Sequence, residues 1–333
     1  MTVPPDPAGL LAPAPGAFDS AYHAPVLLDE VLALLDGKRH VLDGTLGGGG
    51  HSAALLATPG RVVDATDRDA RALAEVQERL AAPEAEGRFR AHLANYADVG
   101  DVPELRDLRF DGIVLDLGIS SHQIDDSTRG FTFREGAPLD MRMGDDAVDR
   151  AADLLNEADE RELVRVFREY GDEPRAGRLA REVVRRRGNR PFVVSDDFVG
   201  AIRGALGPRT GPGDFARLFQ ALRIAVNDEL RGLERALPDL RDRLAPGGVL
   251  AVIAYHSGED RLVKHAFRDW SQACICPPRQ LQCTCRGRPL GETLTRKAMV
   301  ASDAETARNP RARSARLRAW RRATDAAAER GHA

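Results

Sequence analysis

His40-Val-Leu-Asp-Gly-Thr-Leu-Gly-Gly-Gly-Gly-His-Ser52 reads as a short strand that ends in an acid, opens into glycines and passes directly into a helix. Glycine lets the backbone take positive φ and approach a ligand closely, so a glycine turn between strand and helix is a candidate binding loop. The spacing is not that of a dinucleotide loop: counted from Gly47 and Gly49, the third glycine of G-x-G-x-x-G falls on Ser52. Asp67 closes the next apolar run, 20 positions after Gly47, where a doubly wound α/β sheet places an acid against ribose hydroxyls. Asp43 precedes the glycines, where a carboxylate suits a positively charged amino-acid moiety and opposes a pyrophosphate. The ordered set favours S-adenosylmethionine over a nicotinamide dinucleotide. Taken singly, each member also has an ordinary role, since strand-end acids cap turns and helices and glycine clusters make tight loops.

Outward from this run, Pro25 to Leu35 has helical spacing, Arg61 to Asp67 reads as a strand, Ala70 to about Leu80 as a helix, and Asp111 to Asp116 as a strand. This βαβαβ order predicts a parallel sheet covered by helices. After Gly118 the pattern changes. Asp125 to Met143 is rich in Gly, Asp and Arg, and Ala151 to about Ala205 reads as short charged helices, which marks an insertion. The sheet pattern resumes when an amphipathic helix over Phe215 to Leu237 leads through the turn Leu244-Ala-Pro-Gly-Gly248 into a strand from Val249 to Tyr255.

Hydrophobic residues at 43% and charged residues at 30% are the balance of a globular chain and exclude a disordered or fibrous one. A chain of 333 residues allows about two domains, or one interrupted by another. No run approaches the roughly 18 consecutive apolar residues that span a bilayer. The first twenty residues lack the basic start and apolar centre of a secretory signal, so a cytoplasmic protein without membrane contact is expected. All four cysteines fall in Cys274-Ile-Cys276 and Cys283-Thr-Cys285, too few for a disulfide framework and suited to a reducing compartment. They offer enough thiols for a tetrahedral zinc, but the one-residue spacer is shorter than structural zinc sites use. No metal is assigned, and reduced cysteines in a hairpin or an oxidisable pair fit the spacing equally. The net charge is −3, yet Arg286 to Ala333 carries twelve Lys/Arg against five Asp/Glu, a local +7 suited to phosphates.

Several longer runs complete the picture: Tyr22-His-Ala-Pro-Val-Leu-Leu-Asp-Glu30, Asp116-Leu-Gly-Ile-Ser-Ser121, Arg129-Gly-Phe-Thr-Phe133, Pro138-Leu-Asp-Met-Arg-Met143, Tyr255-His-Ser-Gly-Glu-Asp-Arg261 and Asn309-Pro-Arg-Ala-Arg-Ser-Ala-Arg-Leu-Arg318. With the glycine turn, and in this order, they resemble the bacterial 16S ribosomal RNA cytosine-N4 methyltransferases of the RsmH (MraW) family. The resemblance implies an α/β chain of the class I Rossmann-like, S-adenosylmethionine-dependent methyltransferase fold with an inserted, mostly helical substrate-recognition domain. Its implied bounds are 22–125 and 214–322 for the discontinuous methyltransferase domain and 126–213 for the insertion. The disordered tail 1–21 and the tail 323–333 flank them. By motif, it implicates Gly49, Gly50 and His51 in the glycine loop, Asp67 at the ribose, Tyr96 beside the adenine, and Asp116 and Gln123 after the fourth strand. The implied substrate is a cytidine in the decoding region of 16S ribosomal RNA, within the small ribosomal subunit, and a homodimer is among the assemblies allowed. Two positions depart from the family pattern: Gly258 stands where Leu is usual, and His122 where Pro is common.

A methyl on a sulfonium is already activated, so the expected catalytic work is alignment of the nucleophile and handling of one proton, with no metal. The cytosine amino nitrogen is a poor nucleophile because its lone pair is delocalised, and acceptors at its hydrogens favour the attacking form. Asp116 or Ser120 could supply one. His256, after the late strand, is a candidate proton acceptor, although a His there also serves as a hydrogen-bonded structural residue. Arg175, Arg178, Arg181 and Arg185 share a helix face that could meet phosphates or simply face solvent. Arg311, Arg313, Arg316 and Arg318 alternate as in an extended segment, where RNA contact is favoured. A catalytically silent RNA-binding protein of the same fold is the competing class, and the retained cofactor-site residue types speak against it.

Overall fold

The computed structural model describes residues 25–324 except 278, 281 and 283. The tail expected over 1–21, and 325–333 of the C-terminal one, lie outside the described residues.

The first half runs α1 (Leu28–Leu34), β1 (His40–Asp43), α2 (Gly50–Leu56), β2 (Val62–Asp67), α3 (Ala70–Arg79), α4 (Ala81–Ala85), β3 (Phe89–Leu93), β4 (Phe110–Asp116) and α5 (Ser121–Asp125). A helical layer follows, with α6 (Ala151–Glu157), α7 (Glu160–Arg165), α8 (Ala176–Arg187), α9 (Ser195–Leu206) and α10 (Pro212–Val226). Then come α11 (Glu229–Arg243), β5 (Leu244–Ala254), α12 (Ser257–Ser271), β6 (Gly291–Thr293), α13 (Asp303–Arg308) and β7 (Arg316–Arg322).

The sheet order is β3-β2-β1-β4-β5-β7-β6, parallel from β3 through β5, with β7 antiparallel to both of its neighbours. Side chains alternate across a strand, so a strand buried on both faces feeds two cores. In β4, Val114 joins the cluster under α1, α2 and α3, while Ile113 and Leu115 join the cluster under α11 and α12. In β5 the same division sends Val249, Ala251 and Ile253 one way and Leu250 and Val252 the other. This two-period burial makes β1, β4 and β5 near-continuous apolar runs and fixes their register. The reversal of strand order lies between β1 and β4, and the crevice beyond their carboxyl ends is where such sheets bind ligands.

The helical layer has its own core, in which Phe198 stacks on Phe167 at 5.8 Å and meets Phe219 at 5.3 Å between ring centroids. This cluster extends through Phe215, Leu218, Phe219 and Leu222 of α10.

Three local expectations need correction. The single helix over Phe215 to Leu237 is two helices, broken at Asn227 and at Asp228, whose φ is +50°. The break is held by the buried Asn227 side chain, which donates to Met141 O at 2.7 Å and accepts from Met143 N–H at 2.8 Å. The late strand begins at Leu244, because Phe110 pairs with Leu244 before an irregularity restores the register at Gly112 and Val249. In the basic tail, Pro310–Ser314 is a 3-10 turn and only Arg316 onward is strand.

Candidate functional site

Four carboxyl-end segments converge beyond the β1/β4 crevice: the turn after β1, Asp67 after β2, the loop after β4, and Tyr255 after β5. They line a cleft of about 1050 Å³, open solvent at its mouth included. Met143, Asn227 and Glu229 close it from the side of the helical layer.

The glycine turn is built by its neighbours. Gly49 has φ +67°, and a Cβ there would stand 2.6 Å from Val76 Cγ1, so both conformation and the close packing of α3 require glycine. Gly44 is held just as closely, since a Cβ would meet Leu115 Cδ2 at 2.4 Å. Buried Asp43 accepts from the Ser52 hydroxyl at 2.7 Å and from Thr45 N–H at 3.2 Å, pinning the strand end to the helix beyond the glycines. Its carboxyl is pushed up, chiefly by burial. Asp43 is therefore a clasp of the loop and is not among the residues lining the cleft, where an ammonium contact would place it.

Asp67 accepts from Gly47 N–H at 2.7 Å and from Asp69 N–H at 2.9 Å, which fixes both oxygens between the two loops. Burial raises it to about 6, against the two amide bonds that lower it. Tyr96 lines the cleft beside Gly44, and burial, reinforced by the negative Glu259 and Glu229, pushes its hydroxyl well above the usual range.

Asp116 is positioned from three sides. Its N–H donates to Thr45 Oγ1 at 2.6 Å, its Oδ1 accepts from the Tyr255 hydroxyl at 2.8 Å, and its Oδ2 lies 3.8 Å from His51 Nδ1. His51 is oriented by its Nε2, 3.0 Å from Val26 O. Burial first, and the Asp116 charge second, push the Tyr255 phenol up, so it stays a donor. Ser120 and Gln123 brace each other, Ser120 N–H to Gln123 Oε1 at 3.0 Å and Gln123 N–H to Ser120 Oγ at 3.3 Å. Gln123 Nε2 then donates to Asp69 Oδ2 at 3.1 Å, an acid also paired to Arg129 at 2.8 Å.

Of the residues singled out by sequence, Gly50, His51, Asp67, Tyr96, Asp116, Ser120 and Gln123 line the cleft. Gly49 and His256 are not among the lining residues. Gly49 shapes the turn from behind. His256 caps α12: its Nδ1 accepts from Gly258 N–H at 3.2 Å, which leaves the proton on Nε2, 3.2 Å from Glu259 Oε1. Burial pushes Glu259 up, but neighbouring His256 and Arg223 and the Tyr255 amide together hold it below the usual range.

Tyr255, Asn227, Glu259 and Arg129 were not singled out for the site. Tyr255 left one trace in the sequence, a polar ring closing a run of six apolar residues.

The lining carries Asp67, Asp116, Asp228, Glu229 and Glu259 against Arg68; Arg68 is paired to Asp146 at 2.6 Å, Asp228 to Arg235 at 3.0 Å and Glu229 to Arg223 at 2.9 Å, so the surplus rests chiefly on Asp67 and Asp116. This surplus of carboxylates favours a ligand with positive charge and hydroxyls and disfavours a pyrophosphate.

The basic surfaces are partly spent within the chain. Arg185 pairs with Glu182 at 2.7 Å, Arg181 with Glu160 at 3.8 Å, and Arg175 donates to Leu206 O at 3.0 Å. Arg318, expected to face RNA, is buried and paired with Asp260 at 2.6 Å, because the inward face of β7 packs on α12. Arg311, Arg313 and Arg316 are exposed, the first bonded to Asp125 at 3.2 Å. Among the described residues no helix is long and apolar enough to cross a membrane.

Sheet order, glycine turn and acidic strand ends together define a Rossmann-like methyltransferase fold. The chain belongs to the MraW methylase family, whose sequence model matches residues 20–323. It is 64% identical over 310 residues to the ribosomal RNA small subunit methyltransferase H of Gemmatimonas aurantiaca, covering 93% of this chain and 98% of that one. The protein of the same description from Heliobacterium modesticaldum is 46% identical over 308 residues, covering 90% and 97%. Among solved structures, an rRNA methylase from Streptococcus thermophilus aligns over 89% of this chain and 94% of its own, at 11% identity and a TM-score of 0.39.

Proposed function

We propose that this methyltransferase moves a methyl group from S-adenosylmethionine to the N4 amino group of a cytidine in the decoding region of 16S ribosomal RNA. The observation that carries the reading is the acid-lined cleft at the β1/β4 reversal, with Asp116 clamped at its base by Tyr255. The relatives' descriptions supply the small-subunit RNA, and the resemblance of the Asp116 to Ser121 run supplies the cytosine amino group.

The carboxylate surplus fits a sulfonium and an α-ammonium, and Asp67 and Tyr96 fit a ribose and an adenine face. S-adenosylmethionine supplies a methyl already activated by positive sulfur. The remaining work falls to this chain's residues. Asp67 accepts from ribose hydroxyls, while Gly47 and Gly48 allow close backbone approach. Asp116, held through Oδ1 by the Tyr255 hydroxyl, accepts from the cytosine amino group, concentrates its lone pair for attack and takes the released proton. Ser120 adds a second acceptor. His256 is committed to its helix cap, so the proton role offered to it passes to Asp116. The exposed Arg311, Arg313 and Arg316 and, on α8, the exposed Arg178 hold phosphates. The setting for this chemistry is the cytoplasm.

Incubating the purified protein with methyl-labelled S-adenosylmethionine and small subunits lacking the modification tests the reading. Label should enter 16S RNA, and protein that binds cofactor yet transfers none to subunits or free RNA counts against it.

A further inference from the structure

The four cysteines of the sequence have no part in the function just described. Between α12 and β6 the chain runs from 272 to 290 without helix or strand among its described residues, most of them exposed. There the Sγ atoms of Cys274, Cys276 and Cys285 all lie within 4.8 Å of one another. The spacing of Cys274 and Cys276 puts two thiols on the incoming limb, and Cys285 comes from the outgoing limb, so the loop closes on itself at this point.

Several bonds hold that closure. Ile275 N–H donates to Cys285 Sγ at 3.4 Å, the kind of contact that orients a ligating sulfur. Gln280 Nε2 donates to Gln282 O at 2.8 Å and to Thr284 Oγ1 at 2.7 Å across the tip. Arg286 donates to Asp269 O and, at 3.0 Å, to Gln272 O, tying the outgoing limb to the end of α12. Zinc–sulfur bonds of about 2.3 Å in a tetrahedron set sulfurs roughly 3.8 Å apart, and the three thiols already lie within 4.8 Å of one another, close to that spacing. The one-residue spacer, which argued against a metal in the sequence, matters less once the third thiol is seen to arrive from the opposite limb. An exposed loop of this length with little apolar burial is also where a metal clip has most to contribute.

We propose that Cys274, Cys276 and Cys285 bind a thiophilic divalent cation, zinc above all, as a structural clip. Each thiol gives up its proton to solvent as its sulfur bonds the metal. The clip fixes the loop that carries Arg279, Arg286 and Arg288 against α12. The fourth cysteine, Cys283, lies outside the described residues.

The test uses the full chain, purified in reducing buffer free of chelators. Elemental analysis should find roughly one zinc per chain, and X-ray absorption at the zinc edge should show a sulfur-dominated shell. Cys274→Ser, Cys276→Ser and Cys285→Ser should each lower zinc content by about tenfold while binding of S-adenosylmethionine, which monitors folding, persists. A metal-free protein after zinc loading, a shell of nitrogen and oxygen alone, or variants that keep stoichiometric zinc would each overturn the proposal. If a variant fails to fold, the absorption spectrum of the unaltered chain decides. Thiols that pair into a disulfide in preference to binding zinc would equally overturn it.

Discussion

Replacing Asp67 by Asn should cost cofactor affinity more than any other single change in the cleft. Its carboxylate already spans the Gly47 and Asp69 amides at 2.7 and 2.9 Å, so it is held in place before a ligand arrives. Ribose hydroxyls add up to two bonds to a charged acceptor, each worth about 1.5–3 kcal/mol. Asn keeps one weaker acceptor and turns an N–H toward one of the two amide donors. The net loss is about 3–5 kcal/mol, or roughly 10²- to 10⁴-fold in Kd. The titration of Asp67 supplies an independent check. Burial raises its pKa to about 6 in the free protein, and ribose bonds favour the ionised form. Protonation therefore competes with binding: Kd should be flat above about pH 7 and rise by up to tenfold per unit below about 6, a dependence that Asp67→Asn removes over that window. Calorimetric titration across pH measures both effects. An Asn variant within about threefold of the unaltered protein, or a flat pH profile for the latter, would refute the placement of Asp67 at the ribose.

Other expectations concern chemistry, RNA and stability. Asp116→Asn should slow single-turnover methyl transfer by about tenfold or more with RNA affinity nearly unchanged, since its effect is on the transition state. Full recovery at saturating cofactor would reduce Asp116 to a binding residue. Replacing Arg311, Arg313 and Arg316 by Gln should weaken RNA binding while leaving cofactor affinity alone. The slope of log K against log salt should fall by up to about 0.9 for each duplex phosphate that is no longer neutralised. An unchanged slope removes the tail from the interface. Asn227→Ala strips bonds to Met141, Met143 and Arg223 and leaves buried partners unmet, so denaturant unfolding should show a loss of about 2–4 kcal/mol. A change below about 0.5 kcal/mol would mean water replaces the amide.

What could be read from the sequence was local. The β1 turn was legible because two apolar residues, an acid and four glycines follow each other within a few positions, and Asp67 because it closes the next apolar run, 20 positions after Gly47. The Asn227 break was not, because apolar spacing continues on both sides of it and the partners that hold it open come from Met141 and Met143. Arg318 looked like a phosphate ligand for the same reason: its partner, Asp260, is 58 residues away, and only the docking of α12 on β7 brings the two together. His256 misled differently. Its position at the carboxyl edge was anticipated, but its ring turns back to cap its own helix, a choice made by Gly258 N–H and Glu259. Tyr255, one residue earlier, holds the place at Asp116.

The proposed function stands or falls on which atom is methylated, and mass spectrometry of the RNA decides that. Small subunits from cells lacking the enzyme would be incubated with this protein and S-adenosylmethionine bearing a deuterated methyl, and the 16S RNA digested to oligonucleotides and nucleosides. The predicted result is one labelled cytidine, in a decoding-region fragment, with the label on the exocyclic amine. Label on a ribose, on a ring carbon or on another base would contradict it.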